Sequence, residues 1–464
     1  METNKRKRAT EWWHETVDWI VRNGGRIHEG ILWSEERREL VTTKDVASGS
    51  ILMVIPNECL ISLETTCFEN VCMDTSGLFN EKQDVLIAAF LAIQRHDGAG
   101  AFQNYLNTLP DSASFDSLPR RWPDEKQDKL LTGTTLLDRI KKAHSGARDD
   151  FDQVQKALNN PMLIFSTFDD MLAAVTSRAF AGLGASSRDQ DIAMVPLLDL
   201  CNHRRGNITK NLSYRRTEKY VEVTSCVDIS QDSMLSTTYG AKGNAQLLIN
   251  YGFCIMNNLE PDGSSNDIIE LQLKVDQLPV EMRTGPKRFT FGPLCKALEL
   301  FHLPINQGIT ENEDQDEMDS FSDEDDETDE MMYGGITSEV FDEVEYKNEQ
   351  QRMIKTELEA LNGLEIALGN LLAGYSMTNV DILQHLASEQ FSSNKFAATL
   401  VYAEKRTINF LQLTIILVRA ILLKVQPAPF NWLFDLTCGD KRLLKKQAEE
   451  LAAAFVRIRF SELF

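Results

Sequence analysis

The chain has 464 residues, 42% of them hydrophobic, and a formal charge of −22, enough length for two to three domains with sizeable cores. Residues 311–330 hold thirteen Asp or Glu and no Lys or Arg, which leaves −9 for the remainder. An acidic body argues against direct nucleic-acid binding, because a grip on phosphates needs a basic face that releases counterions.

In chain order, the first element expected is a helix after Thr10, with Trp13, Val17, Ile20 and Val21 at helical spacing and Gly24-Gly25 as its stop. The basic run Lys5 to Arg8 is short enough to be a plain tail and basic enough for nuclear import, so cytoplasm and nucleus both stay open. Glu39 to Val46 and Ile51 to Pro56 are strand-like on either side of Ala47-Ser48-Gly49, which predicts a hairpin. Asp84 to His96 and Leu130 to Leu158 read as helices, an insertion of about 81–170 within a β-rich region. The loop Gly182 to Ser187 is rich in Gly and Ser but lacks a βαβ setting, so it reads as a mobile loop and not as a dinucleotide site.

Strand character returns from Ile192 through Val223, with Met194 to Leu200 as one strand, and again at Ile268 to Val275. Past Pro286 the pattern is helical over 288–301, 342–372, 380–386, 396–424 and 440–460. The expected fold class is α+β, with a boundary near 278–285: a β-rich domain over 1–280, then an all-α domain over 281–464. The acidic tract reads as a disordered loop at about 306–335. The apolar run Thr407 to Lys424 is broken by Asn409, Gln412 and Arg419 and reads as a buried helix, with no membrane span. Eight cysteines show neither CxxC nor metal spacing, no secretory start is visible, and the sequons at Asn207 and Asn211 therefore read as chance. No metal site is expected.

Several separated segments occur in a fixed order: Leu40 to Val46 with Ile55-Pro56, Ala89-Phe90-Leu91 with Tyr105 to Pro110, Ser177-Arg178-Ala179-Phe180, Asp199 to His203, and Tyr239 to Phe253. Together they resemble the SET-domain protein methyltransferases of the subfamily typified by the plant Rubisco large-subunit methyltransferase. That resemblance implies a SET core split by a helical insertion, an α-helical substrate-binding domain, S-adenosylmethionine as methyl donor, and a lysine-bearing protein substrate; separately, a monomer is expected.

The resemblance also assigns roles. Tyr239 matches a tyrosine beside the donor's methyl that orients the amine and helps its deprotonation. Tyr251 walls the lysine channel, with Phe253 on the same substrate side. Asn202 and His203 match the donor-binding pair, Arg178 an arginine near the donor's carboxylate, and Asp199 a residue that caps or stabilises the turn. Phe180 is aromatic as in the lysine-methylating members, and Leu198 stands where the histidine-specific type has tryptophan, so lysine is the preferred acceptor over histidine. The family's Gly-x-Gly is replaced by Arg37, Arg38 and Glu39; there, backbone contacts from Glu36 and Arg38 in an extended strand are expected to hold the donor. The missing glycines also motivate a non-enzymatic reading, a SET-like adaptor that binds proteins.

Overall fold

The computed structural model describes residues 2–66, 82–98, 100–184, 191–205, 210–273, 278–302, 343–429 and 438–461. The acidic loop, the Asn207 sequon and residues 185–187 of the glycine loop lie outside these ranges.

The first helix spans Glu2–Arg22 and is closed by Gly24 at φ 88. It buries Trp13 and Ile20 of the face read from the sequence together with Thr16, while Val17 is half-buried and Val21 is exposed. Four strands follow: β1 (Arg26–Ile27), β2 (Ile31–Ser34), β3 (Glu39–Thr42) and β4 (Ile51–Pro56). The predicted hairpin across Ala47 to Gly49 is not formed. Instead β3 pairs with β2, residue Leu40 opposite Trp33, and β4 pairs with a strand some 170 residues away.

Two short strands, β5 (Phe180–Ala181) and β6 (Ile192–Ala193), pair with each other. Then come β7 (Asn202–His203), β8 (Leu212–Arg216), β9 (Tyr220–Ser225) and β10 (Ser236–Thr237). The main antiparallel sheet has the order β1-β4-β9-β8, and β9 turns Val221, Val223 and Ser225 inward in strict alternation. Met194 to Leu200 is not the strand expected. Leu197 takes φ 67, an unfavourable angle for a branched side chain, and Leu198–Leu200 closes into a 3₁₀ turn.

The insertion consists of the helices Gln83–Asp97, Asp124–Leu131, Leu136–Leu158 and Phe165–Arg178, with short turns between them. After the helix Asn244–Tyr251 and the hairpin of β11 (Ile268–Leu271) with β12 (Val280–Arg283), the described chain is helical: Lys287–His302, Glu343–Ala373, Asn379–Leu386, Ser393–Leu423 and Cys438–Arg459. These match the five helical stretches read from the sequence to within a few residues.

Among the described residues there are two hydrophobic cores. One joins the first helix, the main sheet and the Gln83–Asp97 and Phe165–Arg178 helices. The other centres on Ser393–Leu423 and reaches back to Trp122, Leu131 and Ile140 of the insertion, to Leu248, and to both β11 and β12. The Ser393–Leu423 helix is long and apolar enough to cross a membrane, yet 67% of its apolar window is buried inside this second core. Each buried Leu or Ile there contributes about 1.5–3 kcal/mol, and the same helix also buries Glu404, Lys405 and Arg406.

Candidate active site

The site forms where two distant segments lie side by side. β7 and β10 run parallel, with Asn202 opposite Ser236 and His203 opposite Thr237, so the residue two past β10, Tyr239, comes to rest against His203. The Tyr239 backbone N–H donates to His203 Nδ1 at 2.9 Å, and the two rings stack with centroids 5.0 Å apart. An accepting Nδ1 needs its lone pair, so this imidazole is neutral; burial, helped by the Arg205 charge, pushes its pKa down in the same sense.

Tyr239 stacks on Tyr251, centroids 4.6 Å apart and planes within 16°, and its hydroxyl donates to the Cys201 carbonyl at 3.1 Å. Burial raises both phenols, Tyr251 to about 12 and Tyr239 well above the usual tyrosine range. Both are therefore neutral at pH 7. Neutral phenols can orient a nucleophile by hydrogen bonding, and a phenolate is scarce at this pH.

Tyr251 ends the helix Asn244–Tyr251, and Gly252 caps that helix at φ 75, where a Cβ would collide with Ser117 Oγ. The chain can then turn so that Phe253 also reaches the site, its ring 6.2 Å from Tyr251 and 6.5 Å from His203. Asn244 holds the other end of the helix. Its side-chain oxygen accepts from Ile255 N at 2.7 Å, its backbone N–H donates to Asp267 Oδ1 at 2.6 Å, and its amide donates to Asp267 Oδ2 at 3.1 Å.

Asp199 lies inside the 3₁₀ turn, 7% exposed. Its carboxylate does not cap that turn: Oδ2 accepts from the Tyr105 hydroxyl at 2.8 Å and lies 3.6 Å from Arg178 Nη1, which itself donates to the Asp199 carbonyl at 3.0 Å. Burial raises the Asp199 pKa while Arg178 and Tyr105 oppose the rise. Asp199 Oδ1 is buried without a hydrogen-bond partner.

A cleft of about 720 Å³ brings together Arg38, Arg178, Asp199, Asn202, Tyr239, Tyr251 and Phe253. Four other expected residues do not line it. His203 stands behind Tyr239; Leu198 is fully buried in the 3₁₀ turn; Phe180 packs edge-on against Tyr214, centroids 5.2 Å apart; and Glu36 is exposed. Residues 35–38 form a turn between β2 and β3, not an extended strand, and Arg38 takes φ 52. The left-handed residue is thus the middle one of the three at the family's Gly-x-Gly, at a cost of about 1–2 kcal/mol for a side chain with a Cβ. Arg37, which also lines the cleft, braces the turn by donating to the Asp232 carbonyl at 2.8 Å.

Sequence reasoning missed several cleft residues. Trp12 and Trp33, 5.6 Å apart, form one wall. Ser177 lines the cleft beside Arg178, and Phe391 enters from the helical region. Tyr105 and Ser177 sit inside motifs already singled out, so their neighbours were the signal; Trp12, Trp33 and Phe391 carry no local signature of a site.

No family model matches the chain. Among characterised proteins it is similar to the actin-histidine N-methyltransferase of Xenopus tropicalis, 23% identical over 280 residues, and to that of Homo sapiens, 21% identical over 283 residues. Each match covers 58% of this chain, and the chain spans about half the length of these relatives, 46% and 45%. Among solved structures, it superposes on the SET domain of LSMT bound to lysine and AdoHcy with a TM-score of 0.64 at 16% identity, covering 94% of this chain and 98% of the other. Rubisco LSMT bound to AdoMet gives 0.63 at 15% identity, covering 93% and 95%. The chain therefore has, over nearly its whole length, the α+β fold of the Rubisco LSMT SET-domain structures.

Proposed function

We propose that the protein transfers a methyl group from S-adenosylmethionine to the side-chain amine of a lysine in a protein substrate. The observation that carries this reading is the stacked, neutral Tyr239–Tyr251 pair on the wall of a cleft that also holds the Arg178–Asp199 pair. The cleft lies within the size range of small-molecule sites, and the partly exposed Arg178 side chain lines it together with Asn202 and Tyr239. Arg178 would face the donor's carboxylate, and Asp199 with Asn202 its amino-acid end. The donor supplies an activated methyl on a sulfonium.

The residues of this chain supply position and a dry setting. An unperturbed lysine amine titrates near ~10.4, so on the order of one in a thousand is neutral at pH 7. The aromatic walls of Tyr251 and Tyr239 disfavour the ammonium form by desolvation. The Tyr239 hydroxyl, fixed by the Cys201 carbonyl, aligns the amine lone pair with the methyl carbon, and alignment of this kind is the larger part of catalysis when no strong acid or base is required. The proton leaves to solvent before or during transfer, since neither phenol is ionised.

A histidine acceptor is the second reading, favoured by the relatives, which are named for that activity. The aromatic residue at Phe180, which matches the lysine-methylating members in that motif, supports lysine. The test is transfer of radiolabelled methyl to extract proteins, followed by mapping of the modified side chain: methyl-lysine supports the first reading, methyl-histidine the second. An adaptor without catalytic activity would neither bind donor at millimolar concentration nor label any protein.

A further inference from the structure

Phe391 is 84% exposed, among the most exposed large apolar side chains of the described residues. One exposed aromatic is unremarkable by itself. Its place is what matters, because it lines the same cleft as Tyr239, Tyr251 and Asn250. It reaches there from the helical region, on the connection between the Asn379–Leu386 and Ser393–Leu423 helices.

That connection is braced. Ser392 caps the long helix by accepting from Lys395 N, Lys395 Nζ donates to the Ser388 carbonyl at 2.6 Å, and Lys126 Nζ of the insertion donates to Ser393 Oγ at 2.6 Å. Lys395 Nζ also sits 5.5 Å from the Phe391 ring centroid, and Phe396 lies 6.3 Å from it on another side. The ring is held in place yet left uncovered.

The Ser393–Leu423 helix packs against the Asn244–Tyr251 helix, which carries Tyr251 and also touches the Phe165–Arg178 helix. Phe391 thus enters the cleft from the Ser393–Leu423 side, in one lining with Asn250 and Tyr251. Building on the proposed methyl transfer, we infer that Phe391 is a specificity-determining residue that receives an apolar side chain, aliphatic or aromatic, flanking the target residue of the protein substrate. Covering an exposed Phe ring in this way strengthens substrate binding by about tenfold or more, without touching the donor.

The experiment uses the full chain, tritiated S-adenosylmethionine and the proteins of a cell extract, comparing wild type with Phe391→Ala and Phe391→Leu. The expected result is that Phe391→Ala needs about tenfold more extract for half-maximal labelling of the same bands, that Phe391→Leu recovers most of the loss, and that calorimetric affinity for S-adenosylmethionine is the same in all three. Equal half-saturation in Phe391→Ala overturns the inference, as does a parallel loss of donor affinity, which would place the ring at the donor. If the wild type labels nothing, the methyl-transfer reading itself fails, and the inference with it.

Discussion

Two of the buried carboxylates, Glu404 and Asp199, are treated differently. Glu404, in the second core, has both oxygens occupied: Thr135 donates to one through its hydroxyl at 2.8 Å and its N–H at 3.3 Å, and the Tyr375 hydroxyl donates to the other at 2.8 Å. No guanidinium bonds to it, and burial raises its pKa to about 7. Asp199, beside the cleft, has Arg178 and Tyr105 on one oxygen and nothing on the other. A buried acceptor left open costs about 1–3 kcal/mol. The contrast separates a carboxyl saturated by its own helical region from one whose charge partner, Arg178, lines the cleft.

The most disruptive way to probe this contrast is Arg178→Ala, which leaves Asp199 buried without its counter-charge; affinity for S-adenosylmethionine should fall about 100-fold, as a lost charge-assisted contact implies, with calorimetry as the readout. Tyr239→Phe removes only the hydroxyl that the Cys201 carbonyl fixes. Turnover should drop about 100-fold, while donor affinity stays within about threefold; unchanged turnover would refute the orienting role. A smaller effect is expected from Phe180→Asn, which opens the apolar contact with Tyr214 and should move the ratio of methyl-histidine to methyl-lysine products by about tenfold toward histidine.

The remaining prediction concerns the second core. Because the folded pKa of Glu404 is raised, the folded protein keeps a proton there that the unfolded chain has released above pH 4.5. Its stabilising contribution is complete at low pH and is lost as the pH rises through about 7, a change of a few kcal/mol at ~1.4 kcal/mol per unit. Glu404→Gln cannot ionise, so its melting temperature should decline by a few degrees less than that of wild type between pH 5 and 8. Donor affinity should not respond, and a large change in it would erase the distinction between the two carboxylates.

Much of this was legible in the sequence, for reasons that differ by region. The long helices of the second core show in their 3.6-residue periodicity, which is local. The motif residues Arg178, Asn202, Tyr239 and Tyr251 could be grouped because each lay in a recognisable segment, but only the parallel β7–β10 pairing shows why His203 supports Tyr239 from behind. Ala47-Ser48-Gly49 carries a local hairpin signature that lost to β9, a distant strand whose alternating Val221 and Val223 complete the sheet. The 35–38 turn escaped notice because Glu35, Glu36, Arg37 and Arg38 include no Gly, Asn or Pro to mark it. Leu198 and Phe180 were assigned by position along the chain, yet the turn after Leu197 buries the first and Tyr214 engages the second.

The most direct test of the account is a calorimetric titration of the full chain with S-adenosylmethionine, run beside Arg178→Ala. Saturable one-to-one binding that the substitution weakens about 100-fold is the predicted result. No heat of binding at millimolar donor, or equal affinity in both proteins, would contradict the claim that Arg178, in the cleft with Tyr239, holds the donor.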